Sequence, residues 1–157
     1  MKKLSARLQA CADLVQGDII ADIGSDHAYL PVWLVKNNKV KKAYAVDMSA
    51  NCVERIKINL AKYNISQEII TPVLSDGLTE LENIELTDVI IAGMGARSII
   101  NIISGIKEPA GINFILQTHT KKEVLKDFLL ANNFKILQEI IIHEKKRFYD
   151  IMRAVYV

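Results

Sequence analysis

Cysteine is scarce: Cys11 and Cys52 are the only two in 157 residues. They are too few for a zinc centre or a disulfide framework and too far apart for a redox pair, which fits a reducing compartment. Long apolar runs are missing as well, since none approaches the ~18 residues of a membrane span. Charge of one sign is not in excess, with 20 Lys and Arg against 18 Asp and Glu. That balance neither announces a nucleic-acid partner nor excludes one. Lys2 and Lys3 ahead of the run ending in Ala10-Cys11-Ala12 resemble a secretory leader, but Arg7 and Asp13 interrupt it. A cytoplasmic protein with no bound metal and no membrane contact is expected. With 7 Gly and 3 Pro there is no flexible linker, and no internal repeat, so residues 1–157 read as one domain.

What is present is a core-forming composition, 50% hydrophobic and 24% charged. At this size one core buries roughly 70% of the surface of the unfolded chain. Leu4, Leu8, Cys11 and Val15 recur at helical spacing and predict an amphipathic helix ending near Gly17. Short apolar runs at 18–22, 42–47, 68–74, 87–92 and 112–116 read as strands, with helices at 27–37, from Ser49 onward, at 99–103 and at 121–132. Alternation of continuous apolar strands with helices predicts a parallel sheet covered on both faces. The last two runs, 134–143 and 148–157, are separated only by Glu144-Lys145-Lys146-Arg147. That connection is too short for a crossover helix, so the final strand must be antiparallel. The predicted fold class is α/β: a Rossmann-like, mostly parallel sheet of the class I methyltransferase shape, closed by a C-terminal antiparallel hairpin strand.

Open parallel sheets bind ligands outside the carboxyl ends of their strands. Here those ends carry Asp22-Ile23-Gly24-Ser25-Asp26-His27, Asp47, Asp76-Gly77 and Gly93-Met94-Gly95. The first loop lacks the Gly-x-Gly-x-x-Gly that lets backbone amides approach a pyrophosphate. A carboxylate at Asp26 would repel one by about 1 to 4 kcal/mol at ~4 Å. A phosphate-free cationic cofactor, S-adenosyl-L-methionine, suits such a loop better than a nicotinamide dinucleotide. In that reading Asp47 accepts the ribose hydroxyl protons, Asp76 faces the adenine amino group beside Gly77, and Gly93 and Gly95 give the backbone room near the reacting methyl. Each residue also has a plain structural role open to it: Asp22 in a turn, Asp47 or Ser49 as a helix cap, Asp76-Gly77 as an ordinary turn, Met94 in the core and His27 at a helix start. Their joint placement at four strand ends favours a site. Lysines cluster at 36, 39, 41 and 42, at 121, 122 and 126, and at 145 and 146 with Arg147. These are solvated faces or phosphate contacts. Arg7, on an otherwise apolar helix, either pairs with a helix end or reaches over the cleft.

Leu4-Ser5-Ala6-Arg7-Leu8, Ala21-Asp22-Ile23-Gly24-Ser25-Asp26-His27-Ala28-Tyr29-Leu30-Pro31, Ser75-Asp76-Gly77-Leu78 and Ile91-Ala92-Gly93-Met94-Gly95 together resemble the bacterial TrmK family of tRNA (adenine-22-N1)-methyltransferases. The resemblance runs from Leu4 to the final hairpin. It implies S-adenosyl-L-methionine as methyl donor, bound by Asp22, Gly24, His27, Asp47, Met48, Asp76, Gly77, Gly93 and Met94. It implies tRNA as substrate, with Asp26 catalytic or base-orienting and with Arg7, Tyr29, Gln117 and His119 toward the substrate. The chain departs from the family pattern at Ala96, where Gly is usual, and at Thr118-His119, where Pro-Asn is usual. Family members commonly continue into a helical extension, and this protein is expected to lack it.

The resemblance implies a simple reaction. Adenine N1 has a free lone pair and can attack the sulfonium methyl without first losing a proton, so the protein supplies alignment and stabilises the charge that moves onto the base. A noncatalytic module that binds S-adenosyl-L-methionine or tRNA is the alternative, because the changed loop and the missing extension weaken the case for turnover. Oligomeric state is open, with a monomer the simplest expectation.

Overall fold

The computed structural model describes residues 2–157. Helix α1 (Ala6–Asp13) precedes β1 (Ile19–Ile23), α2 (Tyr29–Lys36), β2 (Lys42–Asp47), α3 (Ala50–Lys62), β3 (Ile70–Leu74), β4 (Asp88–Met94), α4 (Ala96–Ser104), β5 (Asn113–Thr118), α5 (Lys122–Ala131), β6 (Phe134–Glu144) and β7 (Arg147–Tyr156). Local chemistry sets several of these ends. Ser5 and Ser49 cap α1 and α3, their hydroxyls accepting the Leu8 and Cys52 N–H groups. The competition between Asp47 and Ser49 for the α3 cap is thus settled for Ser49.

One seven-stranded sheet has the order β3-β2-β1-β4-β5-β7-β6. Strands β1 to β5 are parallel, and β7 runs antiparallel to both β5 and β6. The predicted hairpin is present, and its last strand is inserted between β5 and β6. Alternation fails at one point: the step from β3 to β4 carries only a 3-10 turn at Thr79–Leu81 instead of an α-helix. The absence of that helix leaves space beside the carboxyl end of β3.

The two sheet faces are covered separately. Helices α1, α2 and α3 bury Cys11, Leu34, Ile56 and Leu60 with Ile20, Ile90 and Ile115. Helices α4 and α5 bury Ile99, Leu125 and Leu129 with Val89, Ile91 and Phe114. Each fully buried aliphatic of this kind contributes about 1.5–3 kcal/mol of transfer free energy. From β1 the chain winds outward to β2 and β3, then crosses back to β4 and β5, so the crevice between the ends of β1 and β4 is the topological switch point.

Candidate active site

Strand β1 ends in a loop of unusual backbone. Gly24, Asp26 and Ala28 all have positive φ, at 73°, 56° and 60°. Gly24 adopts this without penalty, whereas the other two cost about 1 kcal/mol or more each. The loop is pinned to β2: the Gly24 and Ser25 N–H groups both donate to the Val46 carbonyl, at 2.8 and 2.9 Å. The Asp26 N–H donates to Asp47 Oδ2 at 3.2 Å, and the Ser49 N–H to Asp47 Oδ1 at 3.1 Å. Asp47 therefore holds the loop while its remaining lone pairs face the crevice. A further positive φ, 79° at Gly93, falls at the register shift between β4 and β5, between Ala92 and Met94.

Two cavities open at these ends. The larger, about 610 Å³, is lined by Gly24, Asp47, Met48, Asp76, Gly77 and Met94, among others. The smaller, about 290 Å³, is lined by Arg7, Asp22, Asp26, His27, Tyr29 and His119, together with Gly24 and Gly93. Gly24 borders both. Met94 Cε lies 2.5 Å from where a Gly24 Cβ would sit, so the methionine fills the space that a side chain would otherwise take. The larger cavity combines carboxylates with the exposed Met48 (73%) and the side chains of Ile23, Leu78 and Ile102. It presents apolar faces for a purine and acceptors for sugar hydroxyls and an exocyclic amine. That donor set fits S-adenosyl-L-methionine.

In the smaller cavity Asp22 is buried and accepts the Ser25 hydroxyl at 2.8 Å. Burial pushes its carboxyl up to about 7; the Ser25 hydrogen bond and the Arg7 charge oppose the rise, and the Asp47 charge adds to it. Asp26 is half exposed, and its Oδ1 lies 2.6 Å from Arg55 Nη2, with His27 Nε2 3.7 Å from Oδ2. The charge on Asp26 is therefore partly cancelled, and the electrostatic bias against a pyrophosphate falls on Asp47 and Asp76 instead. His27 stacks on Tyr29 with ring centroids 5.2 Å apart. Arg7 Nη1 donates to Gln117 Oε1 at 2.9 Å, and the His119 N–H to the Met94 carbonyl at 2.9 Å.

The structure thus divides the residues expected at the cofactor. Gly24, Asp47, Met48, Asp76, Gly77 and Met94 share the larger cavity, while Asp22, His27 and Gly93 line the smaller one. Of those expected toward the substrate, Arg7, Tyr29 and His119 line the smaller cavity. Gln117 is fully buried on β5 behind Arg7. Gly95 is the N-cap of α4, at a φ of −69° that any residue adopts.

Sequence reasoning missed Arg55, which faces Asp26 from the second turn of α3, and the wall made by Ser98, Asn101 and Ile102 of α4 with its C-cap Gly105. These four fall at i, i+3, i+4 and i+7, one stripe of a helix with two polar members and a glycine. That stripe was the available signal.

A family model described as a methyltransferase domain matches residues 4–152. The chain belongs to this family of methyltransferase domains. It is 31% identical over 155 residues to the tRNA (adenine(22)-N(1))-methyltransferase of Bacillus subtilis, with 97% of this chain and 65% of that protein covered. The chain therefore spans about two thirds of that relative's length. Among solved structures, M. capricolum TrmK in complex with S-adenosyl-homocysteine is 34% identical, with a TM-score of 0.88 over 97% of this chain and 68% of that one. A putative tRNA (m1A22) methyltransferase of Streptococcus pneumoniae in complex with S-adenosyl-L-methionine is 32% identical, with a TM-score of 0.92 over 98% and 73%. This methyltransferase domain has its two cavities at the switch point where its fold class binds ligands.

Proposed function

We propose that this protein is an S-adenosyl-L-methionine-dependent methyltransferase acting on N1 of an adenine in tRNA, at position 22. The carrying observation is the pair of cavities that meet at Gly24, one shaped for a nucleoside cofactor and one opening on Asp26, His27 and Tyr29. The Bacillus subtilis and Streptococcus pneumoniae proteins quoted above support the substrate and the position. In this reading residues 1–157 fold as one methyltransferase domain that works in the cytoplasm; among the described residues no group of three or more His, Cys, Asp or Glu suited to a metal occurs. No helix is long and apolar enough to cross a membrane.

The bound cofactor supplies an electrophilic methyl group on a sulfonium. The protein's own residues do the rest. Asp47 receives the ribose hydroxyls, and Asp76 the adenine amino group of the cofactor. Met94 and Gly24 mark the narrow junction across which the two reactants face each other. The His27–Tyr29 stack offers a π surface for the target base. Adenine N1 would take the methyl through its lone pair as the sulfur–methyl bond breaks and the neutral thioether leaves, so no base has to remove a proton first. As the ring gains charge, its N6 amino group becomes a stronger donor, and Asp26, an exposed carboxylate lining the smaller cavity, accepts it. The Watson–Crick edge must be free for attack, so the adenine leaves any pairing before it enters.

The test is methyl transfer to a transcribed tRNA carrying an adenine at position 22, with reverse transcription mapping the blocked Watson–Crick edge. A stop at that adenine is expected. Cofactor binding by calorimetry with no transfer to tRNA would instead establish a noncatalytic module.

A further inference from the structure

The β6–β7 hairpin outgrows the sheet that it closes. Its pairing with β5 ends at Ile151 opposite Gln117, yet four more pairs follow, from Ile141 opposite Asp150 to Glu144 opposite Arg147. At about 3.4 Å per residue the tip stands ~14 Å beyond the last pair with β5, at that strand's carboxyl end. That is the edge on which the smaller cavity opens. Tyr149 packs on the Arg7 guanidinium, 5.7 Å from ring centroid to carbon, so the hairpin backs the part of the cavity wall that Arg7 forms.

The composition of the tip is unlike that of a plain connection. Lys145, Lys146 and Arg147 are exposed and make no ion pair among the described residues. The nearby acids are occupied: Glu144 Oε1 accepts the Ala6 N–H at 2.8 Å, and Asp150 Oδ1 pairs with Lys122 at 3.1 Å. His143 and Phe148 stack at 4.6 Å with Phe148 70% exposed, a flat π surface open to solvent. Across the cavity mouth, Lys2 Nζ sits 4.5 Å over the Tyr29 ring. The turn itself is strained: Lys145 and Lys146 have φ of 49° and 65°, the positions of a two-residue turn that favours Asn-Gly. Two lysines there cost stability without gaining a contact.

We propose that the hairpin tip, His143–Phe148, is an RNA-binding wall on which Lys145, Lys146 and Arg147 hold phosphates and the His143–Phe148 stack receives an unpaired base flanking the nucleotide in the smaller cavity. Cations without partners beside an open aromatic face are the combination that binds single-stranded RNA. The Glu144 bond to α1 and the Arg7–Tyr149 contact hold the wall in register with the cavity. This inference rests on the tRNA substrate named above.

The test compares the full chain with the double variant Lys145→Asn and Lys146→Gly and with Phe148→Ala. Binding to the same tRNA transcript is measured by fluorescence anisotropy across a salt series, alongside melting temperature and calorimetry with S-adenosyl-L-methionine. The double variant is expected to melt higher, because Asn-Gly suits the turn, to bind the cofactor unchanged and to bind tRNA about tenfold more weakly. Its log–log salt slope should be shallower by about 1.4, the loss of two single-strand phosphate contacts at ~0.7 each. Phe148→Ala should weaken tRNA binding about fivefold or more with an unchanged salt slope. A more stable double variant with wild-type tRNA affinity would overturn the proposal and leave the turn a structural feature. Self-association of the full chain in analytical ultracentrifugation that Phe148→Ala abolishes while tRNA binding stays intact would overturn it in favour of a protein contact. If the wild type binds tRNA through this tip but transfers no methyl, the methyltransferase reading fails and the wall stands.

Discussion

Asp26 Oδ1 and Arg55 Nη2 are 2.6 Å apart, joining the strained loop after β1 to the second turn of α3. The pair gives Asp26 a fixed orientation, and hydrogen bonding to Asp26 holds the Arg55 guanidinium above its ordinary pKa. If the carboxylate stabilises the cationic base, Asp26→Asn lowers kcat about a hundredfold while cofactor affinity stays within a factor of two. Arg55→Ala, which removes only the orienting partner, lowers kcat less. In the double variant the two losses are not additive, because the arginine acts through the carboxylate. Single-turnover methylation with saturating cofactor measures all three. Additive losses would show that Arg55 acts on the RNA independently.

Gly24→Ala tests the junction of the two cavities. The added methyl meets Met94 Cε at 2.5 Å, and the backbone at φ 73° disfavours any side chain. The left-handed conformation costs about 1–2 kcal/mol of stability. Met94 can swing away, but only within a junction lined by both cavities, so cofactor affinity falls more than tenfold. Calorimetry and thermal melting separate the two effects. Gly24→Ala combined with Met94→Ala, which restores the space but not the backbone freedom, recovers part of the affinity.

Much of this architecture was legible in the amino-acid order, and the exceptions have physical causes. Strands β1 to β5 are apolar runs, the first four leading into Asp or Gly, and the short Glu144–Arg147 connection forced an antiparallel finish. That β7 slides between β5 and β6 was not legible, because hairpin pairing is local whereas pairing to β5 depends on which sheet edge is free. Asp47 and Asp76 could be placed at the larger cavity because strand ends converge in any parallel sheet. Arg55 could not, since its partner lies on another element and helix periodicity marks it only as an exposed position. The burial of Gln117 was not legible for a related reason: its polar side chain is satisfied by Arg7, from another element, and by the Thr118 carbonyl.

The protonation of Asp22 makes stability fall as pH rises. Burial first of all lifts its carboxyl from the ordinary 3.8 to about 7, so the folded chain keeps a proton that the unfolded chain has lost over that interval. The contribution is full below about pH 4, decreases through the interval, and is gone above about pH 7. Its ceiling is on the order of 4 kcal/mol, from three pH units at ~1.4 kcal/mol each. Asp22→Asn removes this slope, so the variant should be more stable than the wild type at pH 8 and less distinguishable from it at pH 5. Chemical denaturation at the two pH values checks it. Equal pH dependence in both proteins would move the titration to another group.

Asp47 and Asp76 both face the larger cavity, yet only Asp47 also holds the protein together locally. Its two oxygens accept the Asp26 and Ser49 N–H groups, so Asp47→Ala removes a cofactor acceptor and unpins the loop carrying Asp26. Asp76 is exposed, and its carboxylate takes part in no hydrogen bond among the described residues. Asp76→Ala therefore lowers cofactor affinity alone, by about five- to tenfold for one lost hydrogen bond of ~1–1.5 kcal/mol. Asp47→Ala should cost more than tenfold in affinity and also lower kcat at saturating cofactor, because Asp26 loses its backbone anchor. Kinetics at saturating cofactor decide between the roles: a kcat that recovers fully in Asp47→Ala would show that the loop keeps its shape without the β2 carboxylate.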